Sequence, residues 1–251
     1  MTARGLRARS TAGAIVAPMF DAPVRYQLTD DIAVIAMDDG KANALSMPMI
    51  DAVLGALDRA AGEAKAVILT GRPGRFCAGF DLRVMMSGPD AAVALLTRGA
   101  DLLLRLFEYP LPLVIAASGH ALAGGALVVL TGDTRLGIAG DDVKVGLNEV
   151  AIGMPVPLLA MELARARLNP AALTAATLFA QVYTPAGAQT AGYLDAVVAA
   201  EDLAAAALTE AKRLGALPRA AYAGTKQRLR GPVAATIRAG FLDDVNRALG
   251  K

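Results

Sequence analysis

Two stretches of the 251-residue chain combine glycine with small residues in a way that suits contact with a negative charge. The first is Arg75-Phe76-Cys77-Ala78-Gly79-Phe80-Asp81-Leu82, where Gly79 lets the backbone bend close to a ligand. The second is Ser118-Gly119-His120-Ala121-Leu122-Ala123-Gly124-Gly125-Ala126, which leads into an apolar helical pattern. Backbone N–H groups at a helix start lack an intrahelical partner and sit at the positive end of the helix dipole. Two such turns, around Phe80 and Gly124, would suit the negative oxygen of an activated acyl group. Either turn alone reads as an ordinary tight turn.

The titratable residues add one candidate. Glu149, in Gly146-Leu147-Asn148-Glu149-Val150-Ala151-Ile152-Gly153, is by itself a loop carboxylate pairing with a nearby base. His120 lies within the second turn and reads as a satisfied structural histidine. Cys77 has no His in its local segment, so it reads as a small buried residue rather than a nucleophile. As the only cysteine it excludes an intramolecular disulfide and a Cys-based metal cluster. Asp81 and Asp133 read as structural or capping residues, and Asp141-Asp142 as a solvated turn. Walker-type loops, Gly-x-Ser-x-Gly elbows and paired-His motifs are absent from the sequence, so neither a metal site nor a nucleotide cofactor is expected.

Alternating elements must position these turns. Val24 to Thr29 and Ile32 to Met37 read as a hairpin hinged at Asp30-Asp31. Ser46 caps a helix carrying Ile50, Val53, Leu54 and Leu57 at helical spacing. Ala66 to Thr70 is a buried-type strand ending in the turn cluster Gly71-Arg72-Pro73-Gly74. A helix over Asp101 to Glu108 precedes the buried strand Leu113 to Ala117, the glycine turn, a helix, and a strand at Thr134 to Ala139. This order favours α/β layering. Helical patterns then dominate: Leu158 to Ala166, Ala171 to Phe179, Leu203 to Leu214, and Pro232 to Leu249. No internal sequence repeat stands out.

Composition sets the outer limits. With 55% hydrophobic and 19% charged residues, the chain is a foldable globular mixture. A formal net charge of +2, with no basic cluster interleaved with aromatics, gives no support for nucleic acid. Tyr109 to Gly132 carries no formal charge, but prolines, Ser118-Gly119-His120 and Gly124-Gly125 break it into strand, loop and buried helix, so no membrane span is expected. Residues 1–20 hold Arg4, Arg7 and Arg9 without a sustained apolar run, and read as a flexible tail rather than a secretory signal. A cytoplasmic location is the expectation.

In this order, with Lys41-Ala42-Asn43-Ala44-Leu45-Ser46 upstream and Gly146 to Gly153 downstream, the two turns resemble the crotonase (enoyl-CoA hydratase/isomerase) superfamily. The resemblance runs from Val24 to the C-terminal helices and includes Thr184-Pro185-Ala186 through Gly192-Tyr193-Leu194-Asp195. It implies an α/β spiral of ββα units over residues 21–195, and a helical region over 196–251 used for trimerisation. It also implies acyl-CoA thioesters as substrates, self-association as a homotrimer or hexamer, and no cofactor beyond the coenzyme A of the substrate. Residue by residue, Phe80 and Gly124 fall where the family has its two oxyanion-hole N–H donors. Ala42, Ala44, Phe80, Asp81, Leu82, Arg83 and Gly124 fall where coenzyme A and substrate are contacted. Arg75, Arg83 and Lys226 are cations that could meet its phosphates. Met85, Met86 and the following helix are expected to line an adaptable apolar pocket.

The family's hydratases carry two glutamates. At the first position this chain has Leu127, which cannot transfer a proton; at the second it has Glu149. Hydration commonly divides water activation and protonation between two carboxylates. A double-bond shift needs one base, and the resemblance is to single-glutamate Δ3,Δ2-enoyl-CoA isomerases, with Glu149 as the base and its pKa raised by burial. The alternatives are a hydratase using a carboxylate from elsewhere, and a non-catalytic acyl-CoA-binding protein that kept the turns.

Overall fold

The computed structural model describes residues 23–250, so the tail expected over 1–20 lies outside the described residues. The hairpin forms where expected, as β1 (Val24–Thr29) antiparallel to β2 (Ile32–Met37). Its turn residues Asp30 and Asp31 have φ of 50° and 62°, a left-handed conformation that Asp tolerates and that matches strand twist in tight hairpins. Helix α1 (Met47–Glu63) begins at Ser46, whose hydroxyl accepts the Met49 N–H at 3.4 Å. β3 (Ala66–Thr70) and β5 (Leu113–Ala117) have the bounds expected of them. On β3, Val67 and Leu69 join one apolar cluster while Ala66 and Ile68 join another, as a parallel strand covered on both faces requires.

The spiral comes from a second strand after each of three sheet strands. β4 (Gly74–Cys77) follows β3, β6 (Gly119–Leu122) follows β5, and β8 (Val145–Gly146) follows β7 (Thr134–Ile138). The first of each pair joins a six-stranded sheet ordered β1-β2-β3-β5-β7-β9, where β9 is Ala196–Val198. The second joins a three-stranded sheet ordered β4-β6-β8. This repeat is structural and leaves no trace in the sequence. Its second strands are short and read as turns there, because Gly74–Cys77 and Gly119–Leu122 carry glycine and a polar residue in place of an apolar alternation.

Helices α2 (Leu82–Met85) and α3 (Pro89–Phe107) link β4 to β5, and α4 (Gly124–Thr131) links β6 to β7. The helix expected from Asp101 is thus only the last seven of the nineteen residues of α3. Then come α5 (Leu158–Arg167), α6 (Leu173–Thr177), α7 (Pro185–Ala191), α8 (Leu203–Gly215) and α9 (Arg219–Ala248). α8 covers the second face of the large sheet. The helix expected over Ala171 to Phe179 is a 3-10 turn, Pro170–Ala172, followed by the short α6. α9 runs straight through Pro232, expected as a helix start. Pro232 sits on the exposed side, where water can satisfy the carbonyl it leaves unpaired.

One ionic cluster ties α9 to the core. Asp133 accepts from Lys226 at 2.7 Å and pairs with Arg230 at 2.9 Å, and it also accepts the Leu113 N–H at 2.8 Å. Burial drives the Lys226 ammonium down to about 8 against the opposing pull of Asp133. Lys226 is therefore a structural cation and is not free to meet a phosphate, a correction to the reading of its sequence position. Replacing Asp133 with Asn would leave Lys226 and Arg230 buried without their counter-charge. Urea unfolding of the variant should show a loss of about 3–5 kcal/mol.

Candidate functional site

The first turn is held by a second backbone running beside it. Ala78 donates to the Ala42 carbonyl at 3.1 Å, Leu45 to that of Gly79 at 2.8 Å, and Asp81 to that of Leu45 at 3.3 Å. In this parallel pairing Leu45 sits beside Phe80, so the Phe80 N–H faces away from Leu45. Asn43 fixes the arrangement from below. Fully buried, its side-chain amide donates to the carbonyls of Met37 (3.0 Å), Arg75 and Phe76 (both 3.1 Å), and its oxygen accepts the Asp39 N–H at 3.0 Å. Ala42 and Ala44, flanking it, alternate outward and are half-buried.

The second turn is held by the third. Ala123 donates to the Gly146 carbonyl at 3.0 Å and then turns with φ 48° and ψ −121°, a region an L-residue enters at a cost of about 1–3 kcal/mol. That turn starts α4 at Gly124. Gly79, at φ 96°, lies so close that a Cβ there would sit 3.1 Å from the Gly124 nitrogen. A Cβ on Gly125 would lie 2.0 Å from the Cys77 carbonyl oxygen, so side chains are excluded where α4 meets β4. Neither the Phe80 N–H nor the Gly124 N–H has an acceptor among the described residues. Two donors on adjoining turns are thus left without an acceptor among the described residues.

Glu149 lies on the segment that already bonds the second turn through Gly146. Its carbonyl accepts the N–H groups of Ile152 (3.1 Å) and Met154 (2.9 Å), and Gly153 closes this 3-10 turn at φ 81°. Glu149 is 7% exposed, and its Oε2 has no hydrogen-bond partner among the described residues. Burial raises its pKa above the ordinary glutamate value, against the pull of its own N–H and that of Asn148. Tyr193, fully buried, has a hydroxyl that also lacks a partner; burial raises it, and the Glu149 charge raises it further. Asn43 and Tyr193 stand within the motifs of the resemblance, but the sequence assigns neither a role. The hallmark of each is a tertiary contact rather than a spacing.

The remaining expected residues divide. Asp81 caps α2 through the Arg83 N–H at 2.9 Å, while Leu82 and Arg83 are exposed at the rim of the first turn. Arg75 is exposed too. His120 accepts the Lys144 N–H at 3.2 Å, and burial pushes the Cys77 thiol up to about 12. Met86 is 85% exposed, where an apolar pocket lining was expected of it. An apolar cavity of about 30 Å³ beside Phe80 is walled by α3, the helix after the two methionines (Leu96, Ala100, Leu103), by Leu127, and by residues of α5 and α9. Larger clefts, of about 360 Å³ under α8 and about 430 Å³ beside Lys226, border none of Phe80, Gly124 and Glu149. Among the described residues no cluster of His, Cys, Asp or Glu could hold a metal ion, and no helix is long and apolar enough to cross a membrane.

Residues 27–245 match the enoyl-CoA hydratase/isomerase family. The chain belongs to that family. The human mitochondrial enoyl-CoA delta isomerase 1 is 30% identical over 210 residues, 82% of this chain and 70% of that protein. Among solved structures, an enoyl-CoA hydratase/isomerase family protein from Pseudomonas syringae is 39% identical with a TM-score of 0.88, covering 90% of this chain and 98% of that one. An enoyl-CoA hydratase, EchA3, from Mycobacterium ulcerans is 37% identical with a TM-score of 0.86, covering 90% and 99%. The family thus supplies an enzyme of enoyl-CoA chemistry on the crotonase fold, and its members carry both reaction names.

The burial of Glu149 has a consequence for stability. With its folded pKa raised, the neutral form is favoured in the native state. Stability is full below the unfolded value of about 4.3 and falls as pH rises through the folded value. Glu149→Gln should therefore be more stable than the native chain at pH 7 to 8, and the difference should vanish near pH 4. Calorimetric melting across that range checks it.

Proposed function

We propose that this enzyme moves the double bond of a 3-enoyl-CoA thioester into conjugation, giving the 2-enoyl isomer. The observation that supports the reading is a buried, unpaired carboxylate at one of the family's two acid positions and a leucine at the other. Glu149 is present and unpaired at Oε2, while Leu127, at the family's other acid position, is buried in a cavity lined only by apolar residues. Addition of water needs one group to activate it and another to protonate C2. An allylic shift needs only one group that takes a proton and gives it back.

The Phe80 and Gly124 N–H groups receive the thioester oxygen. Glu149 in its carboxylate form removes a proton from C2, the C–H electron pair forms a C1–C2 double bond, the carbonyl π pair moves onto the thioester oxygen, and a dienolate forms. Its oxygen charge lies against the two N–H dipoles, each of which supplies about 2.7–4 kcal/mol in sites of this kind. Glu149 then delivers the same proton to C4, the double bond settles between C2 and C3, and the carboxylate is restored. A raised pKa makes Glu149 a stronger base toward a weakly acidic carbon, and burial keeps water from the dienolate. Ala42, Ala44, Asp81, Leu82 and Arg83 form the rim over which coenzyme A lies in this reading. The homotrimer or hexamer belongs to the same proposal and is read by light scattering.

But-3-enoyl-CoA is the test substrate, followed by the absorbance of the conjugated product. The native enzyme should isomerise it faster than it hydrates but-2-enoyl-CoA. Glu149→Gln should lower kcat by about 10²–10⁴ with little change in KM. Undiminished isomerisation by that variant would remove Glu149 from the mechanism, and hydration outrunning isomerisation would favour the hydratase reading.

A further inference from the structure

The cavity beside Phe80 bears on which acyl chains the site accepts. Phe80 belongs to both places, with its N–H in the donor pair and its ring in the cavity wall against Gly99 of α3. Leu127 continues that wall within the helix that Gly124 begins. An acyl chain whose thioester oxygen rests on the two N–H groups starts beside Phe80 and Leu127, through which this cavity adjoins the donor pair. Phe241 and Val245 of α9, which are 8% and 3% exposed, and Leu159 and Ala160 of α5 also line the cavity.

That part of the wall is anchored. Asp244, between the two α9 residues, accepts the Leu158 N–H at the start of α5 at 2.7 Å. Earlier in α9, Arg238 pairs with Glu108. Arg230 donates to the carbonyls of Phe107 and Thr131, both at 2.7 Å. A helix held at these points behaves as a floor rather than as a lid. The volume of about 30 Å³ is the space of one water molecule or one carbon group.

We propose that Phe241 and Val245 limit the substrate to short acyl chains of about four to six carbons, the room left past the reacting carbons being about one group. This deepens the acyl-CoA reading above and rests on it. Where an apolar channel has room, each added methylene tightens binding about fourfold; where the channel is full, the gain stops.

Isothermal titration of the native enzyme with acetyl-, butanoyl-, hexanoyl- and decanoyl-CoA reads the limit directly, without depending on which reaction is catalysed. Affinity should climb to butanoyl or hexanoyl and then level or fall, leaving decanoyl-CoA no tighter than hexanoyl-CoA. Phe241→Ala should move the break to longer chains and tighten decanoyl-CoA at least about tenfold. Val245→Ala, a smaller cut, should shift it in the same direction if the Phe241 variant does not fold. A native affinity that keeps rising through decanoyl-CoA would overturn the proposal, as would folded variants whose break stays where it was. Failure of all four thioesters to bind would instead overturn the acyl-CoA reading beneath it.

Discussion

Helix α4 has all eight of its residues, Gly124–Thr131, buried, and most of the structure follows from that constraint. A buried helix cannot leave its terminal carbonyls and N–H groups to water. At its C-terminal end the carbonyls of Thr131 and Gly132 are met by guanidiniums, Arg230 to both and Arg167 to Gly132 at 2.8 Å. At its N-terminal end no such partner is supplied to Gly124. The asymmetry is chemical as well as geometric. Cations at one end reinforce the dipole, and the other end keeps a positive field with a free donor, where an oxygen developing negative charge is stabilised.

Capping the buried end with cations has a cost of its own. Arg230, Lys226 and Arg167 are all depressed in pKa by burial, and Asp133 is the carboxylate that offsets them. Because Lys226 and Arg230 come from α9, the same interactions fix where that helix runs, and α9 goes on to carry Phe241 and Val245 under the site. The C-terminal helix is thus linked to the chemistry twice, once through the charge that completes α4 and once through the apolar floor. Binding geometry, helix capping and chain-end placement form one connected set of contacts.

The parts legible in the sequence are those whose signal is local. β3 and β5 are apolar runs between turn residues, Ser46 announces α1, and the glycines of the two turns mark close backbone approach. What stayed hidden depends on partners distant in the chain. β4, β6 and β8 have almost no pattern of their own and exist because a parallel neighbour pairs with them. Asn43 looks like an ordinary turn residue until Arg75 and Phe76 arrive 32 and 33 positions later. Lys226 looks like a surface cation until Asp133 is set beside it, and Met86 looks like pocket lining until the short α2 turns it outward. Family resemblance bridged part of this gap for the fold. It could not say which side chains around Phe80 would fill the space.

Leu127 shows how one side chain can set two properties together. A carboxylate at this buried position would need a partner or would hold its proton, and it would bring polarity and water into the space beside Phe80. Leucine removes that demand. The cavity can then be built wholly from Leu96, Leu103, Leu159, Phe241 and their apolar neighbours, which pack tightly because none requires a hydrogen bond. The loss of the second proton-transferring group and the narrowness of the space beyond Phe80 therefore share a cause. A site with leucine at that position also has an apolar, close-fitting wall, and such a wall would suit the dienolate of the proposed double-bond shift by keeping solvent from it.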